Sequence, residues 1–341
     1  MPQSKYATAT FLLSRTDSIG DVILTLPMAG FIKSLYPNSK IIFLGRTYTA
    51  DVVALSEYVD SFLNVDELEK MSATLAIERV KDLGIDCVVH VFPNKTVAKL
   101  MKAAAVPERV GTRNRLYHWN TCNRLVKLSR KNSDYHEAQL NMMLLRFLSP
   151  NVLLKQTEIA NFYGFTKLAR LEPENAALLS ANKQHVILHP KSKGSAREWG
   201  LDNFKKLVEL LNPERFQIFI SGTADDAKAM QAFLSDVKKY THVIDITAKM
   251  NLQQFIAFIN ACDALVAAST GPLHIASAVG RNAIGLYSSR RPIHPGRWAP
   301  IGTNAKAIVY DPACATCAQG KDCDCITKIS PTEIAKLLLP I

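Results

Sequence analysis

Apolar strand-like segments alternate with helix-like segments twice along this chain, and that repeated alternation leaves few architectures open. The segment Asp86–Val91 is the clearest case. It is almost wholly apolar, as a strand must be when helices cover both faces of a parallel sheet. Around it the first half predicts strands at Thr8–Leu13, Lys40–Leu44, Ser61–Val65 and Arg109–Gly111. The predicted helices are Gly20–Leu35, Tyr48–Ser56, Asp66–Leu83, Val97–Ala105 and Asp134–Leu148. The rhythm restarts after a polar stretch near 165–184. Strands follow at His185–Leu188, Phe216–Ile220, His242–Asp245, Ala264–Ala267, Ala283–Leu286 and Ala307–Val309, with helices between them. A last helix, Pro331–Leu339, has Ser330 placed as N-cap and Glu333 three residues on. The fold class is α/β, doubly wound, with one domain over 1–170 and a second over 184–341.

Two such sheets each have a carboxyl edge where ligands collect. If those edges face each other, the cleft between them is the natural active site. The chemistry-bearing residues fall after predicted strands, in keeping with this. In LLSRTDSIGDVILTLP, Arg15, Thr16, Asp17, Ser18, Gly20 and Asp21 follow the first strand and open a helix. Asp17 and Asp21 fit a helix cap offsetting the dipole, and they equally fit catalysis, with Asp21 taking a proton from an attacking hydroxyl. Arg15 could hold an acceptor carboxylate or phosphate. A dinucleotide fingerprint is missing, because one glycine stands where three are needed.

The second half repeats the pattern. VILHPKSKGSAREWGLDNF carries Lys191, Ser192, Lys193, Ser195 and Arg197 after its first strand. This basic, hydroxyl-bearing loop suits a departing diphosphate; the other reading is a solvated loop with Trp199 packed on the sheet. In DALVAASTGPLHIASAVG a strand ends at Ser269, Thr270 and Gly271, and His274 lies in the first turn of the following helix. Hydroxyls and free N–H groups converge there on a helix start, although His274 also fits a packed core histidine. The next strand ends at Ser288, Ser289, Arg290 and Arg291.

Together RTDSIGDVILTLP, LHPKSKGSAREWGLDNF, STGPLHIASAVGRNAIGLY and HEAQLNMMLLRFL resemble the ADP-heptose:lipopolysaccharide heptosyltransferases, glycosyltransferase family 9. The resemblance implies a GT-B fold, with two Rossmann-like domains facing a central cleft, the first binding the acceptor and the second the nucleotide-sugar. It implies inverting transfer of a heptose or related sugar from a nucleotide-diphosphate donor, ADP-heptose above all, to the lipopolysaccharide inner core. It implies no metal for the chemistry, with the nucleotide-sugar as co-substrate and no other cofactor. It places the base on Asp21 and donor contacts on Arg197, Thr270, Gly271 and His274. Two departures bear on the donor: the family's Asp before Thr-Gly is Ser269 here, and its Gly-Pro-Thr-Asp-Pro is replaced by YSSRRP. They leave open a different donor sugar, or a sugar-nucleotide-binding protein that has lost transfer.

The stretch from Arg109 to Lys131 is crowded with Arg113, Arg115, Arg124 and Arg130, interleaved with Tyr117, His118 and Trp119. With a net charge of +11, it points to an anionic partner. Arg15, Asp17, Arg113, Arg115, His118 and Arg124 are the expected acceptor contacts, on an anionic lipopolysaccharide core precursor at the membrane surface. A solvated face and single-stranded nucleic acid are the other readings; no nucleic-acid-binding signature supports the last. No signal peptide is visible, and the apolar stretch from Phe255 to Ala268 is broken by Asn260 and Asp263. The expected location is the cytoplasm, at the cytoplasmic face of the inner membrane. Of seven cysteines, four cluster as Cys314, Cys317, Cys323 and Cys325. Such a set could hold structural zinc, although C-x-C is tight and no histidine lies inside. Reduced thiols packed near the last helix are the alternative.

Overall fold

The computed structural model describes residues 4–130 and 133–339; Lys131 of the basic stretch lies outside them. The chain divides into two compact units, Met1–Lys167 and Leu168–Ile341. In the first unit, the strands are β1 Thr10–Ser14, β2 Lys40–Gly45, β3 Ser61–Asn64, β4 Cys87–His90, β5 Glu108–Thr112 and β6 Arg124–Val126. They form one sheet in the order β3-β2-β1-β4-β5-β6, every pair parallel. In the second unit, β7 Gln184–His189, β8 Phe216–Ile220, β9 Val243–Asp245, β10 Ala264–Ala268, β11 Asn282–Tyr287 and β12 Ala305–Val309 form a parallel sheet in the order β12-β11-β10-β7-β8-β9. Renumbered within its own unit, this is the same doubly wound order. Winding reverses between β1 and β4 in one unit and between β7 and β10 in the other. A crevice opens at each reversal, at the carboxyl ends of the strands.

The central strands are buried along their whole length, as Phe11–Ser14, Cys87–His90 and Ala264–Ala268 show. Their side chains pack against covering helices: Leu12, Leu44 and Val88 cluster with Val97 and Met101 in the first unit, and Val186, Phe216 and Val266 with Phe204 and Ile334 in the second. Parallel pairing admits no hairpins, so each strand is reached by a crossover that supplies the covering helix.

Several long expected helices are divided. Gly20–Leu35 is two helices, Ile19–Ile23 and Pro27–Leu35, because Pro27 has no N–H to give the preceding turn. Asp66–Leu83 is broken between Val65–Leu68 and Ala73–Asp82, where Ser72 caps the second piece by accepting from the Leu75 N–H at 3.3 Å. Helix in the Asp134–Leu148 stretch starts only at Glu137, capped by His136, and runs to Met142. Tyr48–Ser56 shortens to Ala50–Val53 behind a 3-10 turn, and the helix expected after β8 is two pieces, Ala224–Ala229 and Gln231–Val237. Ser330 stands at the start of Pro331–Leu338, but its side chain makes no capping bond. The edge strand β6 was not expected: three residues with a charged first member give little periodicity to read.

Candidate active site

In the first unit, β1 delivers Arg15 and Asp17 to the crevice beside β4. The Val91 and Phe92 N–H groups, just past β4, both donate to the Ser14 carbonyl at 3.1 Å, and the Arg15 N–H donates to the Leu44 carbonyl at 3.0 Å. The backbone of Arg15 is therefore gripped from both neighbouring strands. Its guanidinium is buried and faces three carboxylates: Asp17 at 2.6 Å, Glu137 at 3.1 Å, and Asp21 in a closer pair. Burial alone would lower the Arg15 pKa, but Asp21, Asp17 and Glu137 outweigh it and hold the guanidinium charged. Glu137 is fully buried and also accepts from Arg130 at 2.8 Å. Asn141 accepts from Arg130 at 2.9 Å and donates to the Leu24 carbonyl at 3.0 Å.

In this network the helix N-cap position falls on Ser18, not on Asp17. Ser18 is the N-cap residue, yet its hydroxyl donates to the Asp21 carboxylate instead of accepting from a backbone N–H. The Asp21 carboxylate is held by Arg15 and Ser18 and keeps 16% of its side chain exposed. Asp17 is perturbed. Burial, with the like charge of Asp21, pushes it up to about 6 against the pull of Arg15. The Tyr48 hydroxyl donates to its backbone carbonyl at 2.7 Å.

The expected acceptor residues do not share one environment. Arg113 and Arg115 are exposed, with Arg113 over the Trp119 ring at 5.5 Å. Arg124 is tied to Glu108 at 2.7 Å and lies over Phe147. Arg15 spends its donors on Asp17, Asp21, Glu137 and Asn141. His118 belongs to the interior, not to an acceptor face. It is fully buried, its Nδ1 accepts from the Thr112 N–H at 3.0 Å, and its ring stacks on His90 at 5.8 Å. Gly111 makes room for it, since a Cβ there would lie 2.8 Å from His118 Nδ1. Burial, then the neighbouring His118, brings His90 down to about 3, so it is neutral at physiological pH.

In the second unit, the loops after β7 and β10 meet at the reversal point. The Ser195 hydroxyl donates to the Ser269 carbonyl at 3.2 Å and to the Ser192 carbonyl at 2.8 Å. Lys193 and Gly194 take positive φ, +50° and +78°, which turns the loop back and leaves Lys193 and Ser195 exposed. Ser192 is buried: its N–H donates to Glu198 at 2.9 Å and its hydroxyl to the Ala196 carbonyl at 2.7 Å. Lys191 pairs with Glu198. Trp199 is 1% exposed and donates to the Ile329 carbonyl at 2.9 Å, so it packs as one of the two readings anticipated. Thr270 stands at the N-cap position of the helix Gly271–Ala278 without a side-chain capping bond, and His274 is buried in the first turn. Ser288 is buried after β11. The Thr270 hydroxyl is buried and has no hydrogen-bond partner among the described residues.

Arg197 reaches a segment the sequence reading did not connect with it: it donates to the Cys323 carbonyl at 2.8 Å and pairs with Asp322, which Arg290 also meets at 3.2 Å. Glu137, Asn141 and Asp322 are the site-side residues that sequence reasoning missed, and Arg130, read as part of the basic stretch, turns to Glu137 and Asn141 instead. Only the His-Glu start of HEAQLNMMLLRFL pointed toward one of them.

Comparison with known proteins adds to this geometry. The model of glycosyltransferase family 9 (heptosyltransferase) matches residues 86–325. A Haemophilus influenzae protein described as a glycosyltransferase is 26% identical, over 88% of each chain. Lipopolysaccharide heptosyltransferase 3 of Escherichia coli is 21% identical, over 84% of each chain. Among solved structures, a family 9 glycosyltransferase of Veillonella parvula (18% identity, TM-score 0.80) and the E. coli ADP-heptose lipopolysaccharide heptosyltransferase II (17% identity, TM-score 0.74) each match over 97% of both chains. These likenesses give the fold: two Rossmann-like units in series, the GT-B architecture. With the family model matching well over half of the chain, the chain belongs to glycosyltransferase family 9, the heptosyltransferases, and is a glycosyltransferase.

Proposed function

We propose that this glycosyltransferase moves a heptose or closely related sugar from a nucleotide-diphosphate donor, ADP-heptose by preference, onto the inner core of a lipopolysaccharide precursor, with inversion at the anomeric carbon. The observation that carries the reading is the Asp21 carboxylate, fixed by Arg15 and Ser18 at the β1 crevice and still partly open to solvent. A base held this way accepts the proton of an acceptor hydroxyl as its oxygen attacks the anomeric carbon. The bond from that carbon to the diphosphate oxygen breaks, and the electron pair leaves with the nucleoside diphosphate. In this reading Lys193, Ser195, Thr270 and the N–H groups at the start of Gly271–Ala278 receive the growing charge, so no metal is needed for transfer. The carried-over family identity and the relatives' activities support the reaction class.

Arg113 and Arg115 are proposed to meet the acceptor's phosphates and carboxylates. Leu116, 90% exposed, and Trp119, 57% exposed, lie among them, the mixture that suits the surface of an anionic bilayer in which the acceptor's lipid stays embedded. No helix among the described residues is long and apolar enough to cross a membrane, so the enzyme is proposed to act as a peripheral protein at the cytoplasmic face. A second reading, a different donor sugar, is favoured by Ser269 and by YSSRRP, which remove carboxylates that family members place near the donor.

The test is Asp21→Asn with ADP-heptose and a heptose-deficient lipopolysaccharide acceptor. Turnover should fall by roughly 100-fold or more while ADP binds as before; turnover near that of the unaltered enzyme would remove Asp21 as the base. A panel of nucleotide-sugars on the unaltered enzyme separates the two donor readings.

A further inference from the structure

The four clustered cysteines lie outside the transfer chemistry, and the fold gathers them closely. Cys314 is the N-cap residue of the short helix Ala315–Ala318, Cys317 lies within that helix, and Cys325 opens a 3-10 turn. Gly320, at φ +68°, turns the chain between the two arms. The sulfurs interleave: Cys314 Sγ lies 3.5 Å from Cys323 Sγ, and Cys317 Sγ lies 3.4 Å from Cys325 Sγ. All four fall within 4.8 Å of one another. A tetrahedron with metal–sulfur bonds of about 2.3 Å has edges of about 3.8 Å, inside that range. The tightness of C-x-C is relieved because each arm pairs with the other. The Cys325 N–H also points at Cys323 Sγ at 3.4 Å, the kind of contact that steadies a thiolate ligand. Three cysteines are buried and Cys323 is partly exposed. Cys87, Cys122 and Cys262, by contrast, are buried in separate places along the two sheets, as packing alone would scatter them.

We propose that Cys314, Cys317, Cys323 and Cys325 bind one zinc ion as a closed, structural tetrathiolate site, and that this site anchors the loop that holds Arg197. Four thiolates gathered to tetrahedral spacing fit a closed structural zinc site and give the metal no catalytic task. The anchoring follows from the contacts. Arg197 donates to the Cys323 carbonyl, and both Arg197 and Arg290 pair with Asp322, whose side chain is 95% exposed. An ion pair that open to water holds little by itself, so the durable hold on Arg197 is the backbone of Cys323, fixed when its sulfur is bound. Nearby, Asn203 donates to the Thr327 carbonyl at 2.7 Å and Trp199 to the Ile329 carbonyl, tying the same segment to the elements after β7. The site itself is independent of the donor reading; its effect on ligand binding rests on that reading.

The experiment is elemental analysis of the full chain purified without added metal, beside Cys323→Ser and Cys314→Ser. About one zinc per chain is expected, lost from both variants. Where a variant does not fold, the unaltered chain is titrated with an organomercurial, which should release the zinc in step with modification of four thiols. Cobalt supplied in its place should give the visible bands of a tetrahedral thiolate site. Absence of stoichiometric metal, or four sulfurs recovered as two disulfides, overturns the site; iron in place of zinc overturns the choice of metal. ADP titration before and after metal removal then reads the anchoring. Affinity at least about fivefold weaker without zinc is expected, and unchanged affinity overturns the anchoring. Failure of the metal-loaded chain to bind ADP would instead count against the donor reading and leave the zinc count standing.

Discussion

Arg15 Nη1 donates to Glu137 Oε1 at 3.1 Å, and the two side chains are 3% and 0% exposed, so a charge pair spanning 122 positions of sequence is closed off from water at the mouth of the β1 crevice. Breaking a buried pair by removing one partner is costly because the other charge is stranded. Glu137→Ala would leave Arg15 and Arg130 facing each other and should destabilise the chain by about 3–5 kcal/mol. Glu137→Gln keeps an acceptor oxygen and should cost less, while loosening the Arg15 grip on Asp21. Thermal unfolding of both variants, with turnover of Glu137→Gln, checks this: a folded Glu137→Gln enzyme with unaltered turnover would show that Glu137 serves packing alone.

Asp17 gives the site a pH dependence. Its folded-state pKa, about 6, lies above the ordinary value of 3.8 because of burial and then the like charge of Asp21. The folded state therefore holds this proton more tightly than the unfolded state does. Its contribution to stability is fully present below the unfolded value and is lost as pH rises through about 6. Asp17→Asn should remove this loss, so the variant gains melting temperature relative to the unaltered chain at pH 7.5 and gains less at pH 4. An equal shift at both pH values would mean that Asp17 does not titrate in this window.

These two cases mark what was legible in the sequence. The alternation of strand and helix gave both sheets, because parallel strands buried on both faces write themselves as apolar runs. Arg15, Asp17 and Asp21 could be read together because they lie within seven residues. Glu137 and Arg130 could not, since a contact across more than a hundred residues leaves no local mark. Asp322 was hidden from Arg197 for the same reason. His118 misled in the opposite way: its neighbours Arg115 and Trp119 are surface residues, and only the room left at Gly111 lets its ring turn inward. The helix breaks at Pro27 and Ser72 had signals in plain view, but amphipathic periodicity continuing on either side outweighed them.

The exposed basic face and the buried histidine beside it should respond differently. Arg115→Glu should raise the KM for acceptor and reduce co-sedimentation with anionic vesicles, leaving donor KM and melting temperature nearly unchanged, because a surface substitution moves stability by no more than about 0.5 kcal/mol. His118→Ala should leave a cavity beside Gly111 and lower stability by about 2–4 kcal/mol. If His118→Ala instead spared the melting temperature and raised only the acceptor KM, the interior placement of the ring would be wrong.

Thr270 offers the sharpest separation of binding from stability. Its hydroxyl is buried with no protein partner among the described residues, and it sits where β10 hands over to the helix Gly271–Ala278. A buried hydroxyl without a partner is a liability in the empty protein and an asset once a ligand oxygen arrives. Thr270→Val keeps the shape and removes the hydroxyl. The variant should melt at the same temperature as the unaltered chain or slightly above it, while binding of nucleoside diphosphate weakens by about tenfold, the worth of one hydrogen bond to a charged oxygen. Calorimetric titration with ADP, paired with thermal unfolding, reads both quantities. A variant that loses stability and keeps its affinity would reverse the assignment and make the hydroxyl a part of the fold.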